Sequence, residues 1–196
     1  MKVLVGCEYS GIVRDAFTAA GHDATSCDLL PSESPGKHYQ GNIFDIINDG
    51  FDFGIFHPPC TYLCKAQYHL LSIDPKRRQK MSQAVEFVKS LYAADIKHIA
   101  IENPIGILSR LFRQPDQILY TNWFGDPHKK DICLWLKNLP PLISTVYNTR
   151  CQPVKNHTNG RMSQEQKSKI KSKFFPLVAE AMARQWSTAY VQSFNH

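Results

Sequence analysis

Short apolar runs alternate along this chain with longer segments whose apolar residues recur every three or four positions, and that alternation sets the expected fold. KVLVG ends at Gly6; in the following EYSGIVRDAFTAAG, residues Ile12, Val13, Phe17 and Ala20 stand at helical spacing and Gly21 stops the helix. HDATSCDLL reads as a second strand, GNIFDIIND as a strand end with a helical turn, and FDFGIFHPP as a continuous buried strand. In KRRQKMSQAVEFVKSLYAAD, the stripe of Met81, Val85, Val88 and Tyr92, flanked by Ala84, Lys89 and Leu91, predicts a long amphipathic helix. HIAIENP follows as another buried strand. This β-α-β-α order predicts an α/β fold, a mostly parallel sheet with helices on both faces.

Beyond Pro104 the pattern changes. QILYTNWFG and DICLWLKNL, separated by DPHKK, predict an antiparallel pair at one edge of the sheet. Residues 144–162 read as a polar, irregular loop. Phe174, Phe175, Leu177, Val178, Ala181, Met182 and Trp186 then give a closing helix its apolar face. There is no internal repeat, and 196 residues suit a single domain over 1–196.

Composition narrows the class. Apolar content of 43% with 20% charged residues fits a globular chain. The apolar run in MKVLVGCEYSG is too short for a signal peptide, and no segment reaches bilayer length, so a cytoplasmic location without membrane contact is expected. Six cysteines (Cys7, Cys27, Cys60, Cys64, Cys133, Cys151) then read as free thiols. The net charge of +6 is partly concentrated in QKSKIKSK, where Lys167, Lys169, Lys171 and Lys173 suit a polyanion such as nucleic acid.

In an open parallel sheet, ligands bind beyond the carboxyl ends of the strands, and the residues expected there carry chemistry. Two prolines, Pro58 and Pro59, stiffen the backbone directly before Cys60, and a thiol is the most nucleophilic uncharged side chain near neutral pH. Glu102 closes the apolar strand HIAIE, where burial suits a carboxyl group to donating a proton. Together they point to attack on an electron-poor ring while an acid neutralises the charge that develops. Asp28 suits a ribose diol, and Gly6 and Gly11 flank a turn into a helix whose start suits the polar end of a cofactor. A zinc deaminase needs H-x-E and C-x-x-C; here Cys60 and Cys64 are spaced C-x-x-x-C and no H-x-E exists. His57, Cys60, Cys64 and Cys133 match no finger spacing, so no metal is expected.

The series GCEYSG, Asp28, GN, PPC and EN resembles the motifs of the C5-cytosine DNA methyltransferases, and more closely the short phage-type members. The resemblance runs from residue 1 to about 140 and, more faintly, through FFPLVAEAMARQW. It implies a class I S-adenosylmethionine-dependent methyltransferase fold of Rossmann-like form, and methyl transfer from S-adenosylmethionine to C5 of cytosine in DNA. Catalysis would fall to Cys60 and Glu102; cofactor binding to Gly6, Glu8, Ser10, Gly11, Asp28, Asn42 and Pro58; and substrate binding to Pro59, Asn103, Lys129 and Lys130. A phage-encoded member would act in the cytoplasm of a bacterial host.

Several positions depart from the family pattern. Glu8 and Ser10 stand where glycines are usual, Asn42 replaces an aspartate, His57 a glycine and Thr61 a glutamine, with Lys129 and Lys130 in place of an arginine motif. The loop at 144–162 occupies the place of a target-recognition domain, which implies low sequence specificity, a homodimer or accessory partner that supplies recognition, or a single-stranded substrate. A catalytically inactive nucleic-acid binder on the same fold is the alternative.

Overall fold

The computed structural model describes residues 1–65, 73–127, 130–146 and 173–192, with side chains to 188. Seven strands form one sheet: β1 (Lys2–Gly6), β2 (Asp23–Asp28), β3 (His38–Gln40), β4 (Phe53–Phe56), β5 (His98–Asn103), β6 (Gln117–Tyr120) and β7 (Asp131–Lys137). Their order is β3-β2-β1-β4-β5-β7-β6. Neighbours from β3 to β5 pair in parallel, while β7 runs against both β5 and β6. This order, with its single reversal at β7, is a doubly wound, Rossmann-like α/β fold.

The helices are α1 (Ile12–Ala19), α2 (Pro75–Tyr92), the short α3 (Leu108–Leu111) and α4 (Pro176–Gln192). Strand side chains alternate between two cores. Val3, Val5, Phe53, Ile55 and Ala100 pack on the face covered by α1 and α4; Leu4, Phe56, Ile99 and Ile101 pack on the face covered by Met81, Val85, Val88 and Leu91 of α2. Trp186 of α4 is fully buried, touches Phe53 and donates from Nε1 to Pro140 O at 3.0 Å.

The expected antiparallel pair lies at the β5 edge, with β7 inside and β6 outside, because the five consecutive buried residues of β7 suit a strand covered on both faces. One local reading changes. In α1 the buried set is Val13, Arg14 and Phe17, while Ile12 is half-buried. Arg14 is enclosed because its guanidinium is satisfied there: it donates to Ser26 Oγ, Ser32 Oγ, Ser34 O and Pro35 O and pairs with Asp15. Gly11 makes room for it. A Cβ there would stand 2.4 Å from Arg14 Nη2, and its φ of 78° is left-handed.

Of the loop expected over 144–162, only 144–146 lie among the described residues; Cys151, Lys129, Lys167, Lys169 and Lys171 lie outside them. Among the described residues, no helix is long and apolar enough to cross a membrane. Trp186→Ala is expected to cost about 3–5 kcal/mol in urea unfolding, whereas Ile143→Ser, at a side chain 70% exposed, is expected to stay within about 0.5 kcal/mol.

Candidate active site

The carboxyl ends of β1, β4 and β5, together with the residue before β7 and the approach to α4, open onto one cleft of about 460 Å³. Cys60 and Glu102 both line it.

The turn bearing Cys60 is anchored by its neighbour strand. Pro58 and Pro59 bring no N–H, so few bonds can form within the turn's first half. Instead Asn103 Nδ2, at the end of β5, donates to Pro58 O at 2.8 Å. Cys60 O accepts from Leu63 N at 2.9 Å and Cys64 N at 3.1 Å, which closes one helical turn. That turn is stapled to the loop after β5: Ile107 N donates to Leu63 O at 2.8 Å, Lys65 N to Ile105 O at 3.3 Å, and Cys64 bridges Gly106. The approach requires glycine, since a Cβ at Gly106 would lie 2.0 Å from Leu63 O.

Glu102 is nearly enclosed, its side chain 12% exposed. Its Oε2 lies 3.3 Å from His57 Nδ1, and the His57 ring packs on Phe174 with centroids 4.6 Å apart. The remaining polar atoms, Glu102 Oε1, His57 Nε2 and Asn103 Oδ1, are buried with no hydrogen-bond partner among the described residues. Buried polar atoms are rarely left unpaired. Three such atoms at one cleft are positions that water or a polar ligand can satisfy.

Cys60 is solvent-exposed, yet its surroundings raise its pKa: desolvation contributes most, then Cys64 and Glu102, with Lys130 acting in the opposite direction. Lys130 lines the cleft and lies over the Phe175 ring. Lys173, also at the cleft, pairs with Glu33 at 2.7 Å. Burial, followed by Asp28 and Cys27, pushes the Cys7 thiol up to about 12. Burial likewise pushes Cys27 and Cys133 up to about 11.

A second cavity of about 440 Å³ adjoins the first, sharing Cys7, Asp28 and Pro59 with it. Its walls are mainly apolar: Ile43, Tyr62, Ala84 and Phe87, with Leu29 at one side. Asp28 Oδ1 accepts from Leu30 N at 2.9 Å. Asn42 Oδ1 accepts from Phe44 N at 3.1 Å, which directs its acceptor to the backbone and leaves its NH₂ as the donor. Glu8, 4% exposed, lines the first cleft while its carboxylate receives Val13 N at 2.8 Å, Arg14 N at 3.3 Å and Ser10 Oγ at 3.1 Å. It thus neutralises the start of α1.

The expected residues therefore fall into three groups. Cys60, Glu102, Glu8, Ser10, Asp28, Pro58, Pro59, Asn103 and Lys130 line the first cleft, and Asn42 lines the second cavity. Gly6 and Gly11 stand outside both linings: Phe56 and Ile43 crowd Gly6, and Arg14 crowds Gly11. Pro58 lines the first cleft, and Pro59 borders both cavities. Lys129 lies outside the described residues. Sequence reasoning missed Tyr62, Phe87 and Phe174 as walls, along with Gly106 as a contact point. Only the turn-forming character of the P-I-G stretch after Glu102 signalled the last.

Scanned against protein-family models the chain matches none, and a search of curated proteins finds no match. Among solved structures it is similar to a prophage-encoded E. coli protein provisionally described as a DNA modification methyltransferase. The identity is 18%, the TM-score 0.45, and the match covers 78% of this chain and 52% of that one. The chain thus spans about half the length of that structure.

Because the Cys60 pKa is raised, its alkylation by iodoacetamide is expected to accelerate with pH past the usual thiol range. Lys130→Ala removes the opposing cation and raises the pKa further, so alkylation at neutral pH is expected to slow by about two- to tenfold. Peptide mass spectrometry, which separates Cys60 from the buried thiols, checks this.

Proposed function

We propose that this chain transfers a methyl group to C5 of cytosine in DNA through a covalent bond at Cys60. The reading is carried by the meeting of Cys60 and Glu102 on one cleft, with Glu102 Oε1 buried and unpaired.

The chemistry needs both groups. C5 of cytosine is a poor nucleophile until the ring's conjugation is broken. The Cys60 thiolate adds to C6 while Glu102 delivers a proton to N3, and the displaced electron pair becomes available at C5. After C5 has taken the methyl carbon, whose bond to the donor sulfur breaks as the C–C bond forms, C5 gives its proton to solvent water, the C6–S bond breaks to regenerate the thiolate, and the N3 proton returns to Glu102. With a raised thiol pKa, Lys130 supplies charge that favours the thiolate. His57 holds Glu102 at Oε2, so that Oε1 is the oxygen left for the base. The Asn103–Pro58 bond and the Gly106 contact keep the sulfur in place.

The second cavity has a donor set that fits S-adenosylmethionine. Asp28 can accept from the ribose diol, Asn42 Nδ2 can donate to an adenine nitrogen, and Ile43, Tyr62 and Phe87 offer apolar walls to the ring. Bound there, S-adenosylmethionine would supply the electrophilic methyl group. Glu8 keeps an acceptor position on Oε2 toward an ammonium group.

DNA carrying 5-fluorocytosine, incubated with S-adenosylmethionine, is expected to form a denaturation-resistant adduct at Cys60, and Cys60→Ser to abolish both adduct and methylation. Methylation that persists in Cys60→Ser would overturn the covalent route. Asp28→Ala is expected to weaken S-adenosylmethionine binding by about ten- to hundredfold in calorimetry. Offering duplex DNA, single-stranded DNA and free deoxycytidine nucleotide side by side identifies the substrate form. Cofactor binding without transfer to any of them would favour a catalytically inactive binder.

A further inference from the structure

The first two turns of α2 carry Lys76, Arg77, Arg78 and Lys80, four cations within five positions. Lys76, Arg78 and Lys80 are exposed. No acidic residue stands in that first turn; the nearest carboxylate, Asp74, caps the helix by accepting from Lys76 N and Arg77 N. Cations at the start of a helix oppose its dipole, and like charges at Lys76 and Lys80 face each other one turn apart. Helix stability alone therefore disfavours this arrangement.

Its position gives it a use. Arg77 Nη2 donates to Thr61 O at 3.3 Å, directly beside Cys60, and Arg77 and Lys80 both lie over the Tyr62 ring, at 5.1 and 5.7 Å from its centroid. Arg77 and Lys80 are thus attached to the thiol turn through two of its own residues. Lys130 borders the same cleft from the β7 side.

We propose, resting on the reading that the cleft serves DNA, that this cationic patch of α2 is the surface that grips the sugar-phosphate backbone beside the target base. Charge complementarity selects the ligand: a run of regularly spaced phosphates suits closely spaced cations, and such contacts carry no base information. Arg77 then couples strand binding to the position of the thiol turn through Thr61 O.

The test is fluorescence anisotropy of a labelled single-stranded DNA across a range of KCl concentrations. The variant Lys76→Ala/Arg78→Ala/Lys80→Ala leaves Arg77 and its bond in place. Its slope of log affinity against log salt is expected to be shallower than that of the unaltered protein by about two, at roughly 0.7 per lost phosphate contact. A charge-matched control, Lys89→Ala/Lys97→Ala/Arg184→Ala, is expected to leave the slope nearly unchanged. An unchanged slope in the α2 variant, equal loss in the control, or no DNA binding by the unaltered protein would each overturn the patch as the grip. Calorimetry with S-adenosylmethionine and methyl transfer, run on the same proteins, report separately on the cleft. A patch-dependent slope with no transfer would leave the surface standing and sink the methyl-transfer reading; transfer with a patch-independent slope would do the reverse.

Discussion

Two prolines leave the first half of the thiol turn without backbone donors, and the rest of the site depends on how the neighbouring strand holds it. Asn103 supplies a donor to Pro58 O, and the loop after β5 supplies Ile107 N to Leu63 O. Both anchors come from the segment that carries Glu102. The acid and the thiol are therefore positioned by one hydrogen-bonded unit rather than by two independent loops, and a displacement of either loop is felt by both reactive groups.

The wall between the two cavities is equally economical in residues. Cys7, Asp28 and Pro59 face both sides. Cys7 has a left-handed φ of 59°, a conformation that costs a non-glycine residue on the order of 1–2 kcal/mol. Glu8 and the start of α1 hold the next residues in place by charge-assisted bonds. Burial raises the Cys7 thiol to about 12, above the ordinary thiol range.

Much of the fold was legible because apolar period and element type agree. KVLVG, FDFGIF and HIAIE are continuous apolar runs of strand length, and Met81, Val85 and Val88 mark a helix by spacing alone. What periodicity could not reveal was an interior place for a cation. Arg14 lies on the buried side of α1 because Ser26, Ser32, Ser34 and Pro35 supply acceptors from a separate segment, and such a partnership has no signature in a local window. The candidate site divided in the same way. Cys60 and Glu102 stood out because each ends a buried strand. Tyr62, Phe87 and Phe174 did not, since an aromatic residue that walls a cavity and one that fills a core look identical in a sequence. Gly6 and Gly11 carry a constraint of the same kind: Phe56 and Arg14 approach so closely that a Cβ at either glycine would clash.

The reversal of β7 has an architectural effect. Because Asn103 pairs with Cys133 in the antiparallel register, it is the beginning of β7, not its end, that arrives at the rim where the parallel strands finish. Lys130 therefore reaches the thiol from a chain segment that enters the sheet, while Cys60 and Glu102 come from segments that leave it. The rim beside Cys60 and Glu102 is thus built from strands running in both directions.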